Sequence, residues 1–258
     1  MCVLHRQQQR AERGALLYIH PFAEEMNKSR RAVAVAAREL AGAGWTVLQM
    51  DLFGCGDSTG GFEDATWELW LSDVAAGCKW LSDRVHGMPG LWGLRAGALI
   101  AWQAAARLHR PTNLLLWQPV ISGRTHLSQF LRLKVVRSMS GDSAERSSTQ
   151  ALRDRLNGGA QIEIAGYMLS PSLAIPMEQA EIRVANGPME TVSWLETGSS
   201  AELAPASREC IARLTGAGVC VRTSVVSGLP FWQTTEIEES PALIAATLSA
   251  LDTWPRAS

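Results

Sequence analysis

Arg95 stands between two glycines in Gly93-Leu94-Arg95-Ala96-Gly97, with apolar residues on both sides, Leu91-Trp92 before and Ala98-Leu99-Ile100 after. A guanidinium stays protonated in proteins and is no nucleophile, but its planar fork suits a carboxylate or a phosphate. A helix starting just after Arg95 would add free N–H groups and a dipole that favour the same anionic partners. Two kinds of partner fit: a small anionic ligand from outside, or Glu24 or Glu25 from the loop after an earlier apolar run. The two can share the site, because a carboxylate held beside Arg95 can be displaced.

A second group of residues has the types needed for attack. Cys55 and Ser58 lie in the turn-rich Gly54-Cys55-Gly56-Asp57-Ser58-Thr59-Gly60-Gly61, and His20 ends the run Gly14–His20. A thiol or hydroxyl beside an imidazole makes a nucleophile–base pair, so a Cys55–His20 dyad is conceivable. The plainer reading is that Cys55 fills a tight turn and His20 bonds to backbone. Trp232 lies in Gly228-Leu229-Pro230-Phe231-Trp232, where pocket lining and plain packing are both open. The five cysteines, Cys2, Cys55, Cys78, Cys210 and Cys220, contain no C-x-x-C pair. That spacing supports neither a zinc site nor a disulfide framework; no metal or cofactor is expected.

These side chains need a scaffold, and apolar periodicity outlines one. Short apolar runs at Gly14–His20, Trp45–Asp51, Pro89–Gly93, Asn113–Trp117, Thr191–Leu195 and Val219–Val226 read as strands. Between them, helical spacing predicts helices to about Gly42 (capped by Asn27 or Ser29), from Asp64, over Ala96–His109, over Pro205–Leu214 and over Pro241–Leu251. In the helix from Asp64, Trp67, Trp70, Leu71, Val74, Cys78 and Leu81 keep that spacing; Trp67, Trp70, Trp80 and Trp102 are expected in the core, as are Cys78, Cys210 and Cys220. Strands alternating with helices imply a mostly parallel, doubly wound sheet with helices on both faces. The alternation fails from about 123 to 170: Thr125–Ser138 is basic and amphipathic, and 141–149 is a polar loop. A short helix (Gln150–Leu156) and a short extended piece (Gln161–Tyr167) follow. This stretch is expected to be a cap inserted into a single domain spanning 1–258 and to lie over the carboxyl ends of the strands.

The same landmarks carry a resemblance. A strand ending in His20-Pro21, a strand followed by Asp51-x-x-Gly54-x-Gly56-x-Ser58, and Gly93-x-x-x-Gly97 at the spacing of the G-x-S-x-G elbow resemble α/β-hydrolases. More narrowly, Pro21–Arg30, Asp51–Ser58, Gly93–Ala98 and Pro230–Thr234 resemble the exosortase A system-associated hydrolase 2 family. The resemblance implies a hydrolase of ester- or thioester-type acyl substrates beside a bacterial exosortase or exopolysaccharide system, with a protein partner there. The residues depart from that implication. Arg95 replaces the nucleophilic serine, Pro230 stands where the histidine would align, and no histidine follows His126. Glu196 or Glu202 could supply the acid but has no base to orient. The alternative is a catalytically degenerate binding or scaffold protein with an anion-accepting pocket built from Arg95, Glu24, Glu25 and Trp232.

Composition narrows the classes further. Lys plus Arg is 24 and Asp plus Glu is 25, so charge balance gives no argument for nucleic acid or an anionic membrane. The run Arg124, Arg132, Lys134, Arg137 reads first as a solvated helix face and second as a lipid- or polysaccharide-facing one. Met1–Arg13 is polar, not an apolar signal segment, and Ala96–Leu108 is too short to span a bilayer. A reducing cytoplasm is the expected compartment.

Overall fold

A computed structural model of the chain describes residues 1–7, 11–108, 110–139, 148–184, 189–234 and 238–255. The helix end expected at His109, and most of the loop expected at 141–149, lie outside them. Among the described residues one sheet holds β1 (Cys2–His5), β2 (Gly14–Ile19), β3 (Trp45–Met50), β4 (Gly90–Leu94), β5 (Thr112–Trp117), β8 (Met189–Gly198) and β9 (Val221–Ser227). The spatial order is β1-β3-β2-β4-β5-β8-β9. β1 runs antiparallel to β3, and every other pair is parallel.

Period-two alternation divides the central strands between two cores. Leu17 and Ile19 of β2 join Leu91, Leu114 and Leu116 on one face, under α2 (Trp67–Ser82), α3 (Gly97–Arg107) and α7 (Pro205–Gly216). Leu16 and Tyr18 join Trp92, Leu115 and Trp117 on the other, under α1 (Glu24–Gly42) and α8 (Pro241–Leu251). Helices therefore cover both faces. Between β5 and β8 the chain inserts α4 (Gly123–Met139), α5 (Thr149–Asn157), the hairpin β6 (Ile162–Ile164) and β7 (Tyr167–Leu169), and α6 (Pro171–Gln179). Leu127, Phe130 and Leu131 of α4 are buried with Leu152, Leu156, Ile162, Leu173 and Met177 in the first of those cores.

Several local expectations are corrected. Asn27 and Ser29 do not cap α1, which starts at Glu24 after Ala23 turns at φ 51°. Asn27 instead donates to Glu24 Oε2, and Ser29 Oγ donates back to the Met26 carbonyl. α2 starts at Trp67, because Thr66 caps it by accepting from Leu69 N–H; residues Phe62–Asp64 form a separate 3₁₀ turn. Trp80 faces solvent and lies under the Arg84 guanidinium, whose carbon is 4.0 Å from the ring centre. Cys220 is exposed as well, just ahead of the outermost strand β9.

Candidate functional site

The strand order reverses direction between β2 and β4: β2 is followed in sequence by β3 on one side and bordered by β4 on the other. In open α/β sheets such a switch leaves a crevice beyond the carboxyl ends of the strands, where ligands bind. The loop after β2 carries Phe22 and Ala23, the first turn of α1 carries Glu24 and Glu25, and the turn after β4 carries Arg95.

The turn around Arg95 depends on its glycines. A side chain at Gly93 would collide with the Ala98 backbone, and one at Gly97 with the carbonyls of Ile19 and His20. Only glycine lets α3 start this close to β2. Arg95 is left at φ 54°, in the left-handed region, which costs a non-glycine residue about 1–2 kcal/mol. Its backbone is fixed nevertheless: its N–H donates to the Trp117 carbonyl, and its own carbonyl accepts from Ala98 and Val120.

The Arg95 side chain closes onto α1. Its Nε and Nη2 both donate to Glu25 Oε1, at 3.2 and 3.1 Å, and the two side chains are only 14% and 18% exposed. Glu25 Oε2 is buried without a partner. With one oxygen unserved, burial outweighs the pull of Arg95 and pushes the Glu25 carboxyl up. Glu24 also lines the cavity beside Arg95 but does not pair with it: its Oε2 accepts from Asn27 and from the Tyr167 hydroxyl at 3.1 Å, tying the inserted hairpin to α1. Burial beside Glu24 pushes the Tyr167 phenol up to about 12.

Trp232 comes to Arg95 from the loop after β9; the guanidinium carbon lies 5.4 Å from its ring centre. The ring is buried, whereas Pro230 is exposed. Trp232, not Pro230, is therefore the residue of that turn that reaches the elbow.

His20, Cys55 and Ser58 do not form a nucleophile–base pair. His20 is buried with both ring nitrogens occupied, Nδ1 at 2.8 Å from the Pro21 carbonyl and Nε2 accepting from Leu52 N–H. Burial pushes its basicity down. Cys55 is buried near Asp51 and Asp73, and burial chiefly pushes its thiol up to about 12. Ser58 Oγ donates to the Asp51 carbonyl at 2.6 Å. At the acid position, Glu196 is fully used: Oε1 accepts from Trp194 Nε1 at 2.8 Å and Oε2 from Ala204 N–H at 3.0 Å. Glu202 is exposed beside Arg208.

A cavity of about 330 Å³ opens above Arg95. Glu25, Arg95, His126 and Trp232 line it with Phe22 and Phe130, and Lys28 and Leu133 stand at its walls. Among the described residues no serine, threonine or cysteine lines it. His126 is the residue that sequence reasoning missed. It is 6% exposed on α4, edge-on to Phe22 with ring centres 5.8 Å apart, and neither ring nitrogen has a partner. Burial, with the Arg95 charge beside it, pushes its imidazole down to about 3, so it is neutral at pH 7. The available signal was a lone histidine on the apolar side of a helix, four residues before Phe130. The basic residues of the same helix are turned out: Arg124, Arg132 and Arg137 are exposed, and Lys134 donates to the Glu163 carbonyl.

Among the described residues no group of three or more His, Cys, Asp or Glu side chains could hold a metal ion. None of their helices is long and apolar enough to cross a membrane. No protein-family model matches the chain, and no curated protein matches it significantly. Solved structures do. Est1E from Butyrivibrio proteoclasticus, solved with ferulic acid bound, superposes with a TM-score of 0.63 at 15% identity, over 98% of this chain and 94% of that one. The α/β hydrolase GrgF from Penicillium sp. sh18 gives 0.61 at 14%, over 96% and 92%. The thioesterase domain from the curacin biosynthetic pathway gives 0.53 at 15%, over 98% and 94%. With the sheet order and the elbow described above, these likenesses identify the architecture: the chain has the α/β-hydrolase fold.

Proposed function

We propose that this chain is a ligand-binding protein that keeps the α/β-hydrolase pocket without its nucleophile, as a single unit whose inserted segment caps that pocket. One observation carries the reading: the elbow position holds Arg95, locked onto Glu25, beneath a cavity in whose wall no described residue places a serine, threonine or cysteine. A serine hydrolase needs nucleophile, base and orienting acid within hydrogen-bond reach. Here the imidazole of His20 and the carboxylate of Glu196 are both spent on neighbouring groups. The resemblance to the exosortase A system-associated hydrolase 2 family supports a role beside a bacterial exosortase or exopolysaccharide system, and the scattered, unpaired cysteines suit a reducing cytoplasm.

The competing reading, a hydrolase of ester or thioester substrates, draws support from that same resemblance and would have to recruit Ser58 or Cys55. Incubation with p-nitrophenyl butyrate and with a serine-directed fluorophosphonate separates the two. The expected result is no turnover above buffer and no covalent adduct by intact mass. Stoichiometric labelling that maps to Ser58 or Cys55 would overturn the binding reading.

A further inference from the structure

Three residues that line the cavity above Arg95 carry polar atoms that no described residue satisfies, and these atoms define what would. Glu25 Oε2, both ring nitrogens of His126 and Trp232 Nε1 are buried without hydrogen-bond partners. Glu25 Oε2 calls for a donor and the Trp232 indole for an acceptor. A neutral imidazole calls for one of each. Leaving such groups unmade costs about 1–3 kcal/mol apiece, so a cavity with several is shaped for an occupant.

Charge narrows the occupant. An anion reaching for Arg95 meets a guanidinium already engaged by Glu25 at 3.1 and 3.2 Å, with the unserved carboxylate oxygen beside it. A cation would meet Arg95, Lys28 and the Trp232 N–H, and the cavity's two carboxylates, Glu24 and Glu25, are matched by its two cations, Arg95 and Lys28. The Arg95–Glu25 pair cancels its own charge, and Phe22, Phe130 and Leu133 supply apolar wall. The volume of about 330 Å³ lies near the lower end of the roughly 300–1,000 Å³ usual for small-molecule sites. We propose that this cavity binds an uncharged small molecule whose polar end both donates and accepts hydrogen bonds, a carboxamide or a hydroxyl, carried on a compact apolar body. The inference rests on the binding reading above and adds its ligand class.

Four probes of one shape test it on the full chain: benzamide, benzyl alcohol, benzoate and benzylammonium, titrated by saturation-transfer NMR. Benzamide and benzyl alcohol are expected to bind at least about tenfold tighter than either ion, the factor that one mispaired buried group brings. His126→Phe keeps a ring against Phe22 and removes both nitrogens; Trp232→Phe removes the indole N–H. Each should reduce the preference for the neutral probes by about fivefold or more, with the far-ultraviolet spectrum unchanged, and either variant suffices if the other does not fold. Benzoate or benzylammonium binding tightest, or no probe binding, overturns the inference. A benzoate preference would sink the ligand class and leave the binding protein standing, whereas ester turnover or a covalent adduct would sink the binding reading itself.

Discussion

Arg95→Ala removes the guanidinium from beside a carboxylate that is mostly out of water. Arg95 and Glu25 are 14% and 18% exposed and share two charged hydrogen bonds. Exposed ion pairs contribute about 0–1 kcal/mol, while breaking a buried one costs about 3–5. A pair at this depth should cost about 3 kcal/mol at pH 8. For a chain of this size that is a fall of roughly 6–12 °C in melting temperature.

The loss should depend on pH with a defined sign. Burial already holds the Glu25 carboxyl above its usual range, against Arg95; without Arg95 it rises further. The folded variant then holds a proton that the unfolded chain releases, so its stability increases as pH falls from the raised folded value toward about 4.3. The deficit against wild type should therefore shrink between pH 8 and pH 5. Arg95→Gly separates charge from backbone. It loses the same pair but relieves the left-handed φ of 54°, so it should be about 1 kcal/mol more stable than Arg95→Ala. Urea denaturation of the three proteins at pH 5 and pH 8 measures all of this. A deficit below about 0.5 kcal/mol at pH 8, or one that grows on acidification, would refute the reasoning.

Two further outcomes follow from the packing and burial of particular residues. Gly97→Ala sets a methyl group against the Ile19 and His20 carbonyls; backbone cannot yield as a side chain can, so a loss above about 2 kcal/mol is expected, read by thermal melting. Iodoacetamide at pH 8 should modify the exposed Cys2 and Cys220 quickly and the buried Cys55, Cys78 and Cys210 only on unfolding. Cys55 and Cys78 are held up at about 12, leaving little thiolate, and fast modification mapped to Cys55 would revive a thiol nucleophile.

The parts of this fold that were legible in the sequence are those where a local pattern has a single structural solution. Apolar runs of strand length separated by helical spacing gave the parallel sheet, and glycines at 93 and 97 gave the sharp turn at Arg95, because that spacing serves close approach. What failed depended on distant neighbours. Asn27 and Ser29 are good capping residues, but the turn at Ala23 starts α1 earlier. β1 has three exposed residues and becomes a strand only by pairing with β3. Trp80 keeps the helical spacing yet falls on the outer side of α2. His126 belongs to the stretch without alternation, and only the packing of α4 over Phe22 brings it above Arg95.

The two hydrogen bonds that occupy Glu196 have a consequence for how sequences can drift around this site. On the binding reading, a route from here to a conventional acyl hydrolase needs a serine at 95, a histidine in the 228–232 turn and a free carboxylate near the end of β8. Serine at 95 alone forfeits the Glu25 pair. Histidine alone has no hydroxyl to deprotonate, and releasing Glu196 strands Trp194 Nε1 and the Ala204 N–H. Members of a catalytic triad act as a unit, so none of the three steps brings an advantage before the others are in place. On the binding reading, the path from this site to a hydrolase therefore crosses a valley, and the Arg95–Glu25 pair is held in place by epistasis.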